Sequence, residues 1–199
     1  MSTLLLGCVA FGVLAGVILI PQSLVPLLSG STHYILLAVL FGVGLELGHT
    51  RGLITRLKKV APTSLLLPLT SGLGSLLGGL MGGLILGGGA YAGLAIGAGF
   101  GWYSLSSVII ADFAGAELAA LAFLTNVFRE IIAIVTMPVL FRRGFGIAAL
   151  TPGGATTMDT TLAIVSKMAD QETTIIAFYH GLSLSLLVPL LVPLLAARI

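Results

Sequence analysis

The chain has 199 residues, 57% of them hydrophobic and 8% charged, and a mean hydropathy of +1.16, more apolar surface than a water-soluble globule can hide. Lipid must therefore be part of its solvent. The formal net charge of +2 comes with basic residues in short clusters rather than along a stripe, which excludes a nucleic-acid footprint and makes those clusters reporters of topology.

A bilayer core takes about 20 apolar residues per helix, so the length allows at most about seven or eight crossings and one transmembrane domain over 1–199. Seven apolar stretches are marked: Thr3 to Ile20, Tyr34 to Gly48, Ser64 to Leu86, Ala90 to Ile110, Ala116 to Phe141, Phe145 to Val165 and Thr174 to Ala197. The first has no basic residue before it and no A-x-A-like site after it, so it reads as a retained helix and not a signal peptide. It contains Cys8, the one cysteine, so no disulfide or cysteine metal site forms within the chain. Pro21-Gln22 closes it and the polar run Ser29 to Thr32 precedes the second stretch, which makes 1–48 an N-terminal helical hairpin. Glu46, beside His49 and Arg51, reads as an interfacial ion pair.

Arg51, Arg56, Lys58 and Lys59 follow with no acid among them, which places this connection and the N-terminus in the cytoplasm by the positive-inside rule. The third stretch runs Ser-Gly-Leu-Gly-Ser-Leu-Leu-Gly-Gly-Leu-Met-Gly-Gly from Ser71 to Gly83. Its four-residue glycine spacing predicts a helix that packs backbone to backbone. A phosphate loop is disfavoured, since no strand precedes it and no Gly-Lys-Ser/Thr follows.

Two later stretches are apolar at their ends and polar or glycine-rich in the middle: Gly97-Ala-Gly-Phe-Gly-Trp-Tyr-Ser-Leu-Ser-Ser107 and Thr151-Pro-Gly-Gly-Ala-Thr-Thr-Met-Asp-Thr-Thr161. Non-helical backbone at membrane depth survives only where protein or a water-filled cavity satisfies its amides, so a binding site is expected between the two breaks. If all seven stretches crossed, Arg142 and Arg143 would lie outside, against the positive-inside rule. Re-entrant hairpins at both breaks repair this, leaving five crossings and an external C-terminus. The expected fold class is an all-α integral membrane protein with about five to seven apolar segments, two of them broken or re-entrant and meeting near mid-membrane.

Asn126, Arg129 and Glu130 sit near the centre of the fifth stretch, where an ionised side chain costs about 3 kcal/mol on insertion scales. Asn126 and Glu130, four apart, share a helix face. Arg129 points about 100° away from Glu130, so each must find a partner elsewhere; this favours a functional site over a self-compensating cluster. Asp159 is either a helix N-cap or, with Thr156, Thr157 and Thr160, part of a ligand site; a capped half-helix at mid-membrane is itself a binding element. Tyr103 and Ser104 belong to the polar middle of the first break. Asp112 and Glu117 flank Gly115 at an expected membrane surface, in solvated or capping roles. His180 either donates to a carbonyl as a neutral ring or relays a proton. No Ser-His-Asp elbow, H-E-x-x-H or Gly-x-Gly-Asp pattern is present, so the expectation is a transporter and not an enzyme, with no metal and no cofactor.

At Gly101-Trp-Tyr-Ser-Leu-Ser-Ser107, Thr125-Asn-Val-Phe-Arg-Glu-Ile131, Pro152-Gly-Gly-Ala-Thr-Thr-Met-Asp-Thr-Thr-Leu162 and His180-Gly-Leu-Ser-Leu-Ser-Leu-Leu-Val-Pro189, the chain resembles the LysO-type lysine exporter family, over residues 64–197. The resemblance implies export of L-lysine, and of analogues such as thialysine, across a prokaryotic cytoplasmic membrane against a flow of protons or another coupling ion. The family's acidic residues for translocation correspond to Glu130 and Asp159. Longer members carry additional N-terminal helices and some are split into two chains, which implies a homo-oligomer or a short companion membrane chain as partner, beside lipid. Arg129 is expected to bind the substrate carboxylate or to hold Glu130 ionised, because a guanidinium binds a carboxylate bidentately.

Overall fold

The computed structural model describes Ser64 and residues 66–199, with the isolated positions Phe11, Leu14 and Ala15. The N-terminal hairpin, Cys8, the Glu46 cluster and the basic connection of Arg51 to Lys59 lie outside the described residues.

Helix α1, Leu67–Ile85, starts with Pro68 in its first turn, where the missing N–H costs nothing. Gly87 and Gly89, at φ 75° and 91°, turn the chain into α2, Ala90–Gly97. The two helices touch through glycine: a Cβ on Gly83 would lie 2.9 Å from Gly93 Cα, and one on Gly97 2.6 Å from Ser75 O. Only hydrogen fits at these positions, as the glycine spacing predicts. The pairing runs antiparallel and ends with Gly97 level with Ser75, about half-way along α1.

A break at 98–102 leads into α3, Tyr103–Arg142, which Gly115 divides at φ 82°, ψ 175° into a first arm, 103–114, and a second, 116–142. Two 3-10 turns follow, Gly146–Leu150 and Gly154–Met158, then the short α4, Leu162–Met168. The last helix, α5, Gln171–Ala196, is capped by Asp170, whose Oδ1 accepts from Thr173 N at 2.8 Å. No strand occurs among the described residues, and three helices, α1, α3 and α5, are long and apolar enough to cross a membrane.

Two apolar clusters divide the molecule along these helices. One joins Ala95 of α2, Ile109 of the first arm, Ala119 of the second arm and Val192 and Ala196 at the end of α5. The other joins Leu67, Met137, Leu150, Val165 and Ile176, from the start of α1, the end of the second arm, the first 3-10 turn, α4 and the start of α5. Thus α2 and the first arm enter and leave at one end of the bundle, while the 3-10 turns and α4 enter and leave at the other. At 1.5 Å per residue, the 8 residues of α2 reach about 12 Å, well short of a core about 30 Å thick. The two broken segments are therefore hairpins inserted from opposite ends. Their tips meet where Phe100 O accepts from Ala155 N at 2.8 Å. The expected meeting of two broken helices is thus present, in its re-entrant form.

Candidate functional site at the crossing of two broken helices

Each tip leaves backbone groups that the apolar surroundings cannot solvate. In the first, Phe100 and Gly101 adopt positive φ, 48° and 97°, and Asn126 of the second arm staples the gap. Its Oδ1 accepts from Gly101 N at 2.7 Å, and its Nδ2 donates to Ala122 O at 2.9 Å and Ile96 O at 3.3 Å.

The second tip is satisfied by its own hydroxyls. Thr156 Oγ1 donates to Gly153 O and Thr157 Oγ1 to Gly154 O, each at 2.8 Å; Thr156 Oγ1 also pairs with Thr161 Oγ1 at 3.2 Å. Thr157 Oγ1 lies 2.9 Å from Nδ1 of His180, which is fully buried on α5, its Nε2 without a partner among the described residues. Gly181 lets α5 approach this tip: a Cβ there would sit 2.7 Å from Ala155 O.

Arg129 and Glu130 point to different sides of the second arm, as their adjacency requires. Arg129 is half-buried against the crossing. Its Nε donates to Pro152 O at 3.1 Å, Nη1 to Ser75 Oγ at 2.6 Å and Nη2 to Thr151 O at 3.4 Å. All three acceptors are neutral, and no described carboxylate pairs with it. Glu130 is 4% exposed. It feels the charge of Asp159, with the Thr160 side chain beside it; the Thr160 hydroxyl is buried without completing a hydrogen bond to a described group. Tyr103, edge-on to Phe123 with ring centroids 5.4 Å apart, lies within the field of both Glu130 and Asp159.

Asp159 is exposed at the end of the second 3-10 turn, at φ −134°, ψ −90°, and accepts a hydrogen bond from Thr160 N. The capping alternative does not hold: the N-cap of α4 is Thr161, two residues further on, and no side chain bonds there. The crossing thus gathers Tyr103, Glu130, Asp159 and Thr160 on one side of the second arm and Arg129 on another. Asn126, Thr156, Thr157 and His180 lie inside the tips. Ser104 is exposed and stands apart from this group, as are Asp112 and Glu117 on either side of Gly115.

Sequence reasoning passed over Ser71 and Ser75. Ser71 Oγ donates to Thr151 O at 3.3 Å, and Ser75 Oγ donates to Gly97 O at 2.8 Å while accepting from Arg129. The signal was there, because hydroxyls four apart on a glycine-rich helix share one face.

Helices long enough to cross a bilayer, with two inserted hairpins meeting around buried polar groups, define an α-helical membrane protein of the broken-helix kind. The chain belongs to the lysine exporter LysO family, whose profile matches residues 6–196. That match takes in the N-terminal stretches as well as 64–196. A Haemophilus influenzae protein named as a candidate lysine exporter is 34% identical over 163 residues, 82% of this chain and 83% of that protein. The lysine exporter LysO of Escherichia coli K12 is 33% identical over 167 residues, 84% of this chain and 55% of that protein, so the chain spans about half of that relative. No solved structure matches.

Proposed function

We propose that the chain is a multi-pass secondary transporter of the cytoplasmic membrane that exports L-lysine in exchange for protons or another coupling ion. The observation that carries this reading is the crossing itself: Glu130, 4% exposed and with no ion pair among the described residues, shares its surroundings with Asp159, Thr160 and Tyr103 at the tips of two inserted hairpins. A buried carboxylate group suits a substrate with two ammonium groups and one carboxylate, because the extra ammonium needs a counter-charge in low dielectric. Glu130 and Asp159 take the ammonium and exchange protons for it as the site faces each side in turn. Arg129, whose guanidinium is held by neutral oxygens among the described residues, takes the α-carboxylate. Two relatives named for lysine export support the substrate.

The reading is transport and not catalysis. Expression in a lysine-sensitive strain lacking its own exporter tests it: intracellular lysine falls and thialysine resistance rises. Unchanged lysine and unchanged sensitivity would reject the proposal. Glu130→Gln and Asp159→Asn keep size and hydrogen bonding, so each should abolish lysine-coupled proton movement in vesicles while the protein still inserts. Arg129→Lys should lose transport for want of the forked donor; wild-type flux in that variant would reduce Arg129 to a clamp on the second tip.

A further inference from the structure

Arg129 stands at the boundary of two cavities. One, of about 810 Å³, lies along the start of α1 and the middle of the second arm, lined by Thr70, Ser71, Phe128, Ile132 and the 151–152 carbonyl segment. The other, of about 340 Å³, lies along the end of α1 and the start of the second arm, lined by Gly78, Gly82, Leu86, Leu118 and Leu121. Three residues belong to both: Ser75, Thr125 and Arg129. Since α1 is long and apolar enough to cross the membrane, the two cavities occupy opposite halves of its depth and meet at this trio. Within this trio Arg129 Nη1 donates to Ser75 Oγ at 2.6 Å. Ser75 is anchored in turn by Gly97 O at the end of α2, 2.8 Å away.

We propose that the Ser75–Arg129 hydrogen bond is the septum between two half-paths, one from each membrane face, and that a substrate carboxylate opens it by replacing the Ser75 hydroxyl on Arg129. This rests on the transporter reading and adds to it the route and the gate. A carboxylate is a stronger acceptor for a guanidinium than a neutral hydroxyl is, and it can take two parallel N–H groups where Ser75 takes one. The exchange frees Ser75, and it leaves the guanidinium Nε on Pro152 O, so Arg129 stays on the second tip. An amine without the carboxylate has nothing to offer Arg129 and leaves the septum shut. The gate therefore reads the end of the substrate that Glu130 and Asp159 do not.

Single cysteines report the two half-paths in a Cys8→Ser background. Gly74 lines the first cavity and Gly82 the second, and a Cβ at either meets nothing within 4 Å, so Gly74→Cys and Gly82→Cys introduce no clash. A membrane-impermeant maleimide is applied to right-side-out and to inverted vesicles. Gly74→Cys is expected to label only from the cytoplasmic face and Gly82→Cys only from the outer face. Ser75→Ala removes that sidedness, Ser75→Thr retains it, and L-lysine relaxes it while the diamine cadaverine does not. Labelling of both cysteines from one face, or sidedness unchanged by Ser75→Ala, or equal effects of lysine and cadaverine, overturns the septum. Should Ser75→Ala fail to reach the membrane, the lysine and cadaverine comparison with Ser75 intact still decides. Lysine flux in the same vesicles separates the two readings: flux without sidedness leaves export standing and removes the septum, and sidedness without flux does the reverse.

Discussion

The two hairpin tips solve the same problem with different chemistry. The first is closed by neutral side chains, chiefly Asn126 of the second arm, which bonds Gly101 N and Ile96 O, with Ser75 and Ser106 bonding Gly97 O and Trp102 O. The second is held by several hydroxyls of its own, with Arg129 drawing the Thr151 and Pro152 carbonyls outward. At the first tip one side-chain bond holds the Gly101 amide; the second has redundant bonds and an exposed carboxylate at Asp159. On the proposed transport reading, the second tip, with its redundant bonds and its carboxylate, carries the working chemistry, and the first tip serves as its abutment.

Glycine substitution gives the largest expected effect and ranks the tips directly. Gly154 and Gly101 both hold positive φ, 60° and 97°, so alanine at either costs about 1–2 kcal/mol in conformation. At Gly154 the new Cβ would also collide with Phe100 O and come within 2.9 Å of Arg129 Nη2, adding about 1–3 kcal/mol of overpacking. At Gly101 its nearest neighbour is Gly153 O at 3.3 Å. Gly154→Ala should therefore lower the melting temperature in detergent further than Gly101→Ala; the reverse order would mean that the tips do not meet as described.

Next in size is the staple. Asn126→Ala strands Gly101 N, at about 1–3 kcal/mol for a buried group left unsatisfied, while Ile96 O keeps its bond from Gly99 N at 3.1 Å. In Thr156→Val the second tip loses the hydroxyl bond to Gly153 O, which still accepts from Thr156 N at 3.2 Å, and the pairing with Thr161 Oγ1, at about 1 kcal/mol each. Thermal unfolding of the two variants side by side checks this; a larger loss in Thr156→Val would contradict the redundancy of the second tip.

The smallest effect lies at the start of α5, outside both tips. The Thr173 amide holds the Asp170 carboxyl below its usual range by bonding its charged form. A folded value lowered in this way makes the contribution present above the ordinary carboxylate range and lost as pH falls through the lowered value. Asp170→Ala should thus be slightly less stable than the parent near neutrality and converge with it in acid, the exposed carboxylate being well screened. A gap that widened on acidification would contradict the cap.

How much of this was legible in sequence can be traced residue by residue. Lipid as solvent, the packing role of the Gly79 and Gly83 face, the two breaks and the singling out of Arg129 and Glu130 all follow from local text, because hydropathy, glycine spacing and the 100° step between neighbours belong to a single helix. That Asn126 would be spent on the first tip did not follow, since the partners it meets, Gly101 N and Ile96 O, are 25 and 30 residues away. Nor did the bond of Ser75 to Arg129 across 54 residues, or the passing of the α4 cap from Asp159 to Thr161. Sequence by itself determined which segments are apolar, where they break and which charges lie where ionisation is costly. Tertiary structure alone decided that the breaks are hairpins from opposite ends, which carbonyls Arg129 meets and where the two cavities join, because those depend on how far glycine lets two backbones approach and on the direction in which each helix then leaves the contact.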